Sequence, residues 1–237
     1  MQVEAIRAFT DNYIWALSEP DRDQVVVVDP GAAQPVKDFL QRKNAQLSAI
    51  LVTHHHWDHT NGIAELVAAY QVAVFGPANS PFAGITQPLN DSEVLSPPGL
   101  DVEFKVIATP GHTLDHIGYY GDGKLFCGDT LFSAGCGRMF EGTPEVFHKS
   151  LQQLAELADE TLVYCTHEYT QANLNFAITA LPTSEALVNY AAKVAKLRAE
   201  DACTLPSTIG LEKQINPFLR AQNVAEFARL RAAKDNF

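Results

Sequence analysis

Up to about residue 165 the chain runs in short, β-rich apolar stretches cut by Gly, Pro, Asp or Asn, with a few stretches of helical period between them. The pattern predicts strands over Val25–Asp29, Ala49–Thr53, Val72–Phe75, Phe104–Ala108, Ile117–Tyr120, Leu125–Cys127 and Leu162–Cys165. Runs such as Val25 to Val28 do not alternate, which suits strands covered on both faces, so helices must flank the sheets. Residues 34–43, 61–70 and 144–158 supply them, the last with Thr143 as N-cap, Pro144 at the first helical position and Glu145 in the first turn. Segment 76–100, rich in Pro, Asn and Gly, reads as a long surface connection. After His167 the texture turns Ala- and Leu-rich with helical period over 171–181, 183–200 and 223–235, broken by Pro182 and by an irregular stretch at 203–218. The expected organisation is an α+β domain over 1–167 followed by a small helical domain over 168–237.

Length and charge narrow the functional class. At 237 residues and 46% hydrophobic the chain can bury a sizeable core. Seventeen Lys and Arg against 28 Asp and Glu leave a net charge of −11, a field that repels nucleic acid and requires a local basic pocket for any anionic ligand. The longest apolar runs fall far short of the roughly 20 residues that span a bilayer. Glu4 and Arg7 interrupt the N-terminus where a secretory leader would be apolar. Cys127, Cys136, Cys165 and Cys203 are unevenly spaced without a C-x-x-C pair, so they read as small buried hydrophobes in a reduced, cytoplasmic protein.

Seven of the eight histidines fall in three short segments, Thr53-His-His-His-Trp-Asp-His59, Thr109-Pro-Gly-His-Thr-Leu-Asp-His116 and Cys165-Thr-His167. Each follows a predicted strand, as does Leu125-Phe-Cys-Gly-Asp-Thr130, so donors remote in sequence can gather where strands end. Imidazoles and carboxylates without thiolates suit Zn, Fe or Mn in a catalytic site. In an extended loop His54 and His56 can chelate one ion while Asp58 and His59 turn toward a second, and His55 and Trp57 alternate away. With His112, Asp129 and His167 there are seven donors: three private ligands for each of two ions and one shared carboxylate. His116 and His148 read as structural. Asp29, in Val-Val-Asp-Pro-Gly, either hydrogen-bonds a ligand imidazole or starts the turn made by Pro30 and Gly31.

T-H-H-H-W-D-H, T-P-G-H-T and C-G-D-T-L-F resemble the metallo-β-lactamase superfamily. D-N-Y-I-W at 11–15, G-C-G-R-M-F-E-G-T at 135–143, T-H-E-Y-T at 166–170 and the terminal L-R-A-A-K-D-N-F narrow the resemblance to its glyoxalase II (hydroxyacylglutathione hydrolase) family, over nearly the whole chain. The resemblance implies an αβ/βα sandwich of two mixed sheets flanked by helices, with a helical substrate-binding domain after it. It implies His54, His56 and His112 on one metal, Asp58, His59 and His167 on the other, and Asp129 between them. It also implies Arg138, Tyr169, Arg231 and Lys234 around the glutathione moiety. Arg138 stands where the family often has lysine, and Phe140 where it can have tyrosine. Asp115 stands where it usually has glycine, and either orients an imidazole or faces solvent.

The implied activity is hydrolysis of S-(2-hydroxyacyl)glutathione, such as S-D-lactoylglutathione, to glutathione and D-lactate, the second step of methylglyoxal detoxification, with two divalent ions, zinc first among them; a monomer is expected, though the resemblance does not set the oligomeric state. Two cations sharing a water lower its pKa from about 16 to about 7, giving a bridging hydroxide without a Ser or Cys nucleophile, while Asp58 and Asp129 hold the pair of ions in place. A thiol leaves as thiolate without a dedicated acid, which suits a thioester. Arg231 and Lys234, at i and i+3 of the last helix, either clamp a carboxylate or make an ordinary solvated face, and Tyr169 is either a ring contact or core packing. The competing expectations are an iron-dependent glutathione persulfide dioxygenase on the same fold and a non-catalytic metal-binding protein.

Overall fold

The computed structural model describes all residues, Met1–Phe237. The chain divides into two compact units, Met1–Ala108 with Asp115–Asp122, and Thr109–Leu114 with Gly123–Phe237.

The first unit opens with a hairpin that the pattern of the chain did not announce, β1 (Gln2–Ala8) and β2 (Asn12–Ser18), paired antiparallel and turned through Phe9 at φ +50°. Then come β3 (Gln24–Val28), α1 (Ala33–Lys43) and β4 (Gln46–Leu51), with β4 parallel to β3 as a helical crossover requires. Two short helices follow, α2 (Trp57–Thr60) and α3 (Ile63–Tyr70), and then β5 (Ala73–Pro77) and β6 (Gln87–Leu89). These six strands form one mixed sheet in the order β1 to β6. Val25 to Val28 are all buried, as their unbroken apolar run requires, and β3, β4 and α1 bring Val27, Ile50, Val36 and Phe39 into one core. Each such side chain removed from water contributes about 1.5–3 kcal/mol. Strands β7 (Val94–Leu95), β8 (Phe104–Ala108) and β9 (Ile117–Gly121) pair antiparallel in that order. The expected surface connection 76–100 therefore contains the end of β5 and two short strands. Pro88 sits at the open edge of the six-stranded sheet, where a residue without an N–H is tolerated.

The second unit holds β10 (Lys124–Gly128), the small hairpin β11 (Leu131–Phe132) with β12 (Gly135–Cys136), and α4 (Pro144–Ala155). Thr143 caps α4 by accepting from the Val146 N–H, as its position before Pro144 predicts. Strand β13 (Leu162–Cys165) lies parallel to β10, and α5 (Thr170–Ala180) and α6 (Glu185–Ala199) follow. The stretch 203–218 is not irregular throughout: it contains β14 (Ser207–Thr208), antiparallel to β13, and α7 (Ile209–Ile215), capped by Thr208. Helix α8 (Val224–Asp235) ends the unit. Leu174, Ala177, Leu187, Val194 and Ile215 bind α5, α6 and α7 into a second core. No helix is long and apolar enough to cross a membrane.

Candidate metal and substrate sites

In the first unit the donors stand on the loop leaving β4, anchored by the Ile117 N–H on the Thr53 carbonyl at 2.9 Å. His54 and His56 precede α2, and that single helical turn carries Asp58 and His59. Potential ligand atoms of His54 and His56 lie within 4.8 Å of each other, as do those of His54 and His59 and of Asp58 and His59.

Asp29 organises this loop. It is 2% exposed, and its Oδ1 accepts from the Thr53 N–H at 2.7 Å. Its Oδ2 accepts from Thr53 Oγ1 at 2.7 Å and from His59 Nδ1 at 3.0 Å. A carboxylate only accepts, so the His59 proton is on Nδ1 and its lone pair on Nε2. Thr53 Oγ1 has given its proton to Asp29 and so accepts from His54 Nδ1 at 3.0 Å, which puts the His54 lone pair on Nε2 as well. Asp58 is held by Asn12, whose Nδ2 donates to its Oδ2 at 3.0 Å, and Asp58 Oδ2 lies 3.6 Å from His59 Nε2. Gly31 is required here because a Cβ on it would collide with the Asp58 carbonyl.

His55 pairs with the buried Asp115, Nδ1 to Oδ1 at 2.9 Å. Asp115 is thus buried rather than turned to solvent, and the imidazole it meets is that of His55, not of a proposed ligand. Trp57 is exposed and meets Phe9 edge to face, while His116 stacks on His54 at 4.7 Å.

In the second unit, His112 leaves β8 and Asp129 follows β10 after Gly128, whose φ of +49° a side chain would resist. His167 follows β13. Asp129 Oδ2 stands between two imidazoles, 3.5 Å from His112 Nε2 and 3.3 Å from His167 Nε2. His112 Nδ1 donates to the Arg138 carbonyl at 2.6 Å, which again sets the lone pair on Nε2. All three groups are buried. His148 is structural, its Nε2 meeting the Ala221 carbonyl at 3.0 Å.

Beside this trio lies a cavity of about 280 Å³ lined by Phe132, Cys136, Arg138, Tyr169, Arg231 and Lys234, among others. Tyr169 stacks on His167 at 4.6 Å with planes 5° apart. Arg138 is exposed. Arg231 is buried and largely committed: Nη1 donates to the Cys136 carbonyl at 3.0 Å and to the Gly137 carbonyl at 3.3 Å, and Nη2 to Asp235 at 2.9 Å. Lys234 is half buried over the rings of Phe176 and Phe237, and burial, helped by Arg231, holds its ammonium below the usual lysine range. Cys127, Cys136 and Cys165 are buried free thiols that burial pushes up, Cys136 to about 11, so none is an activated nucleophile. Asn12 and Thr53 carried no separate signal in the sequence, since a lone Asn or Thr at a strand end is commonplace.

Residues 12–167 match the model of the metallo-β-lactamase superfamily, and residues 168–237 that of the hydroxyacylglutathione hydrolase C-terminus. The chain belongs to the hydroxyacylglutathione hydrolase family. It is 54% identical to the hydroxyacylglutathione hydrolase of Idiomarina loihiensis over 93% of this chain and 86% of that one. It is 49% identical to that of Pseudoalteromonas translucida over the whole of both chains. Among solved structures, ETHE1 from Myxococcus xanthus superposes with a TM-score of 0.76 at 25% identity, over 98% of this chain and 90% of that one. The α+β architecture of mixed sheets, flanking helices and a helical C-terminal region is thus the metallo-β-lactamase fold with the addition that marks this family.

Proposed function

We propose that the chain hydrolyses the thioester of S-(2-hydroxyacyl)glutathione, S-D-lactoylglutathione among its substrates, to glutathione and the 2-hydroxy acid, and so serves methylglyoxal detoxification. The observation that carries this reading is the match of residues 168–237 to the C-terminal region of this hydrolase family, continuous with whole-chain likeness near 50%. The shared superfamily fold would suit other chemistries, but that C-terminal match favours the hydrolase over the persulfide dioxygenase.

The donor set fits a pair of divalent ions. Nε2 lone pairs on His54, His59 and His112, each set by an acceptor on Nδ1, together with ionisable carboxylates and no thiolate, suit Zn, Fe or Mn. We assign His54, His56 and His112 to one ion, Asp58, His59 and His167 to the other, and Asp129 to both. When bound, such ions supply an acidified water at neutral pH and a Lewis acid for the thioester carbonyl. Asp58 and Asp129 hold the reacting centre in register. Arg138 and Lys234 offer cations to the glutathione carboxylates, Tyr169 offers a ring and a hydroxyl beside His167, and Arg231 fixes the cavity wall. The leaving thiolate needs no proton donor, since a thiol titrates near 8.5.

We further read residues 1–167 as the catalytic domain and 168–237 as the substrate-binding domain of a cytoplasmic, zinc-loaded monomer. The four free cysteines support a reducing compartment. Purified protein should hydrolyse S-D-lactoylglutathione, lose that activity on chelation and regain it with metal. Absence of thioester turnover in the loaded protein, or oxygen uptake with glutathione persulfide in its place, would overturn the reading.

A further inference from the structure

The hairpin of β11 and β12 forms one wall of the cavity through Phe132 and Cys136. Its turn is costly: Ala134 sits at φ +54°, a left-handed conformation that a residue with a Cβ seldom adopts, and is wholly buried. Side chains from the helices behind it bind its backbone almost group by group. The Ala134 N–H donates to Glu212 Oε2 at 2.7 Å. Asn216 Nδ2 donates to the Phe132 carbonyl at 3.1 Å, the Gly135 carbonyl at 2.8 Å and Glu212 Oε2 at 3.0 Å. Asn173 Nδ2 donates to the Ser133 carbonyl at 3.1 Å, and Ser133 Oγ meets the Tyr190 hydroxyl at 3.0 Å.

The other side of the hairpin faces the chemistry. The Cys136 and Gly137 carbonyls take the Arg231 guanidinium, and the Phe132 ring stands edge-on to Tyr169 at 5.4 Å and to His167 at 5.9 Å. Glu212 and Asn216 are fully buried and do not line the cavity. Burying a carboxyl is expensive, and apolar packing would join α7 to its neighbours at lower cost. What apolar packing cannot do is satisfy three carbonyls and an N–H in a strained turn.

We propose that Glu212 and Asn216 are positioning residues of the substrate cavity: they hold the 131–136 hairpin in its left-handed turn and thereby place Phe132, Arg231 and Tyr169 for binding. The proposal rests on the reading of the cavity as the glutathione subsite. Neither residue touches substrate, so their loss should weaken binding while leaving the reacting centre intact.

The test compares Glu212→Ala, Asn216→Ala and Glu212→Gln with the wild-type holoenzyme at saturating metal. The measurements are metal content, thermal melting, kcat and KM for S-D-lactoylglutathione, and the Kd for glutathione by calorimetry. Orphaning the Ala134 N–H or the hairpin carbonyls should raise KM and the glutathione Kd about tenfold with kcat within about twofold. Glu212→Gln, which keeps an acceptor oxygen for the Ala134 N–H, should restore both. Folded, metal-loaded alanine variants with unchanged KM, or a loss confined to kcat, would overturn the positioning role. If Glu212→Ala does not fold, Asn216→Ser decides by the same comparison. A wild type that neither hydrolyses the thioester nor binds glutathione defeats the functional reading and this proposal together; an active wild type beside variants of unchanged KM defeats this proposal alone.

Discussion

Asp29 Oδ2 lies 3.0 Å from His59 Nδ1, and the same oxygen takes the Thr53 hydroxyl that in turn accepts from His54. One buried carboxylate therefore fixes the tautomer of two candidate ligands, one for each proposed ion. Asp29→Ala should lower metal affinity by about 10–100-fold, the usual effect of removing a group that orients a ligating imidazole. Competition with a chromophoric chelator, read on apo-protein titrated with zinc, measures this directly. Unchanged affinity would show that the loop holds its ligands without Asp29.

Asp129 stands between His112 and His167 within 3.5 Å of each Nε2. Asp129→Ala should cut metal content and thioester turnover together, with both ions weakened. Full turnover in a variant that retains two ions would exclude a shared role for this carboxylate.

Asp115 presents the opposite case. Its Oδ1 partners His55, which is no assigned ligand, and its Oδ2 is buried with no hydrogen-bond partner. Asp115→Gly removes one favourable contact and one buried orphan acceptor at once, so the two effects oppose. The variant should melt within about 4 °C of the wild type, the scale of about 1 kcal/mol for a chain of this size, and keep its metal affinity. A large loss of metal would instead make the His55–Asp115 pair a support for the neighbouring ligands His54 and His56.

The placement of the four His- and Asp-bearing segments was legible in the sequence because strand ends concentrate functional residues, and β4, β8, β10 and β13 do end at them. Asp29 could not be resolved from local signals because it does both things expected of it: its carboxylate meets His59, and its carbonyl accepts from the Gly31 N–H in the following turn. The β1–β2 hairpin escaped because β1 is only half buried and gives a weak alternation. Helix α7 escaped because seven residues containing Gly210 carry too little period, although Thr208 supplies a cap. With it went Glu212 and Asn216, whose partners lie some eighty residues away in sequence. Arg231 and Lys234 share a helix face as their spacing predicts, yet that spacing could not reveal that Arg231 is committed to backbone carbonyls.

Lys234 gives a pH test. Burial first, and Arg231 second, hold its ammonium below the ordinary lysine range, so it loses its charge at lower pH than a free lysine. If it binds a glutathione carboxylate, KM should rise as pH climbs through that lowered value while kcat changes little. Lys234→Ala should raise KM at neutral pH and abolish this alkaline rise. A Lys234→Ala variant with the wild-type KM profile would remove the residue from the site.

Glu212 titrates in the other direction and makes a prediction about stability. Burial raises its carboxyl above the ordinary range, opposed in part by the hydrogen bonds from the Ala134 N–H and Asn216. Tyr190, Cys165 and Cys127, on which its charge acts, are themselves pushed up by burial and neutral at pH 7. A folded-state pKa above the unfolded value means that the folded protein binds the extra proton. Its contribution to stability is fully present below the unfolded value, near 4.3, and is lost as pH rises through the folded one. Glu212→Gln mimics the protonated form at every pH. It should therefore melt higher than the wild type at pH 7, and the difference should shrink toward zero as the pH falls toward 4. Thermal melts of both proteins across that range check the sign: a difference that grows on acidification would mean that Glu212 is held ionised in the folded state.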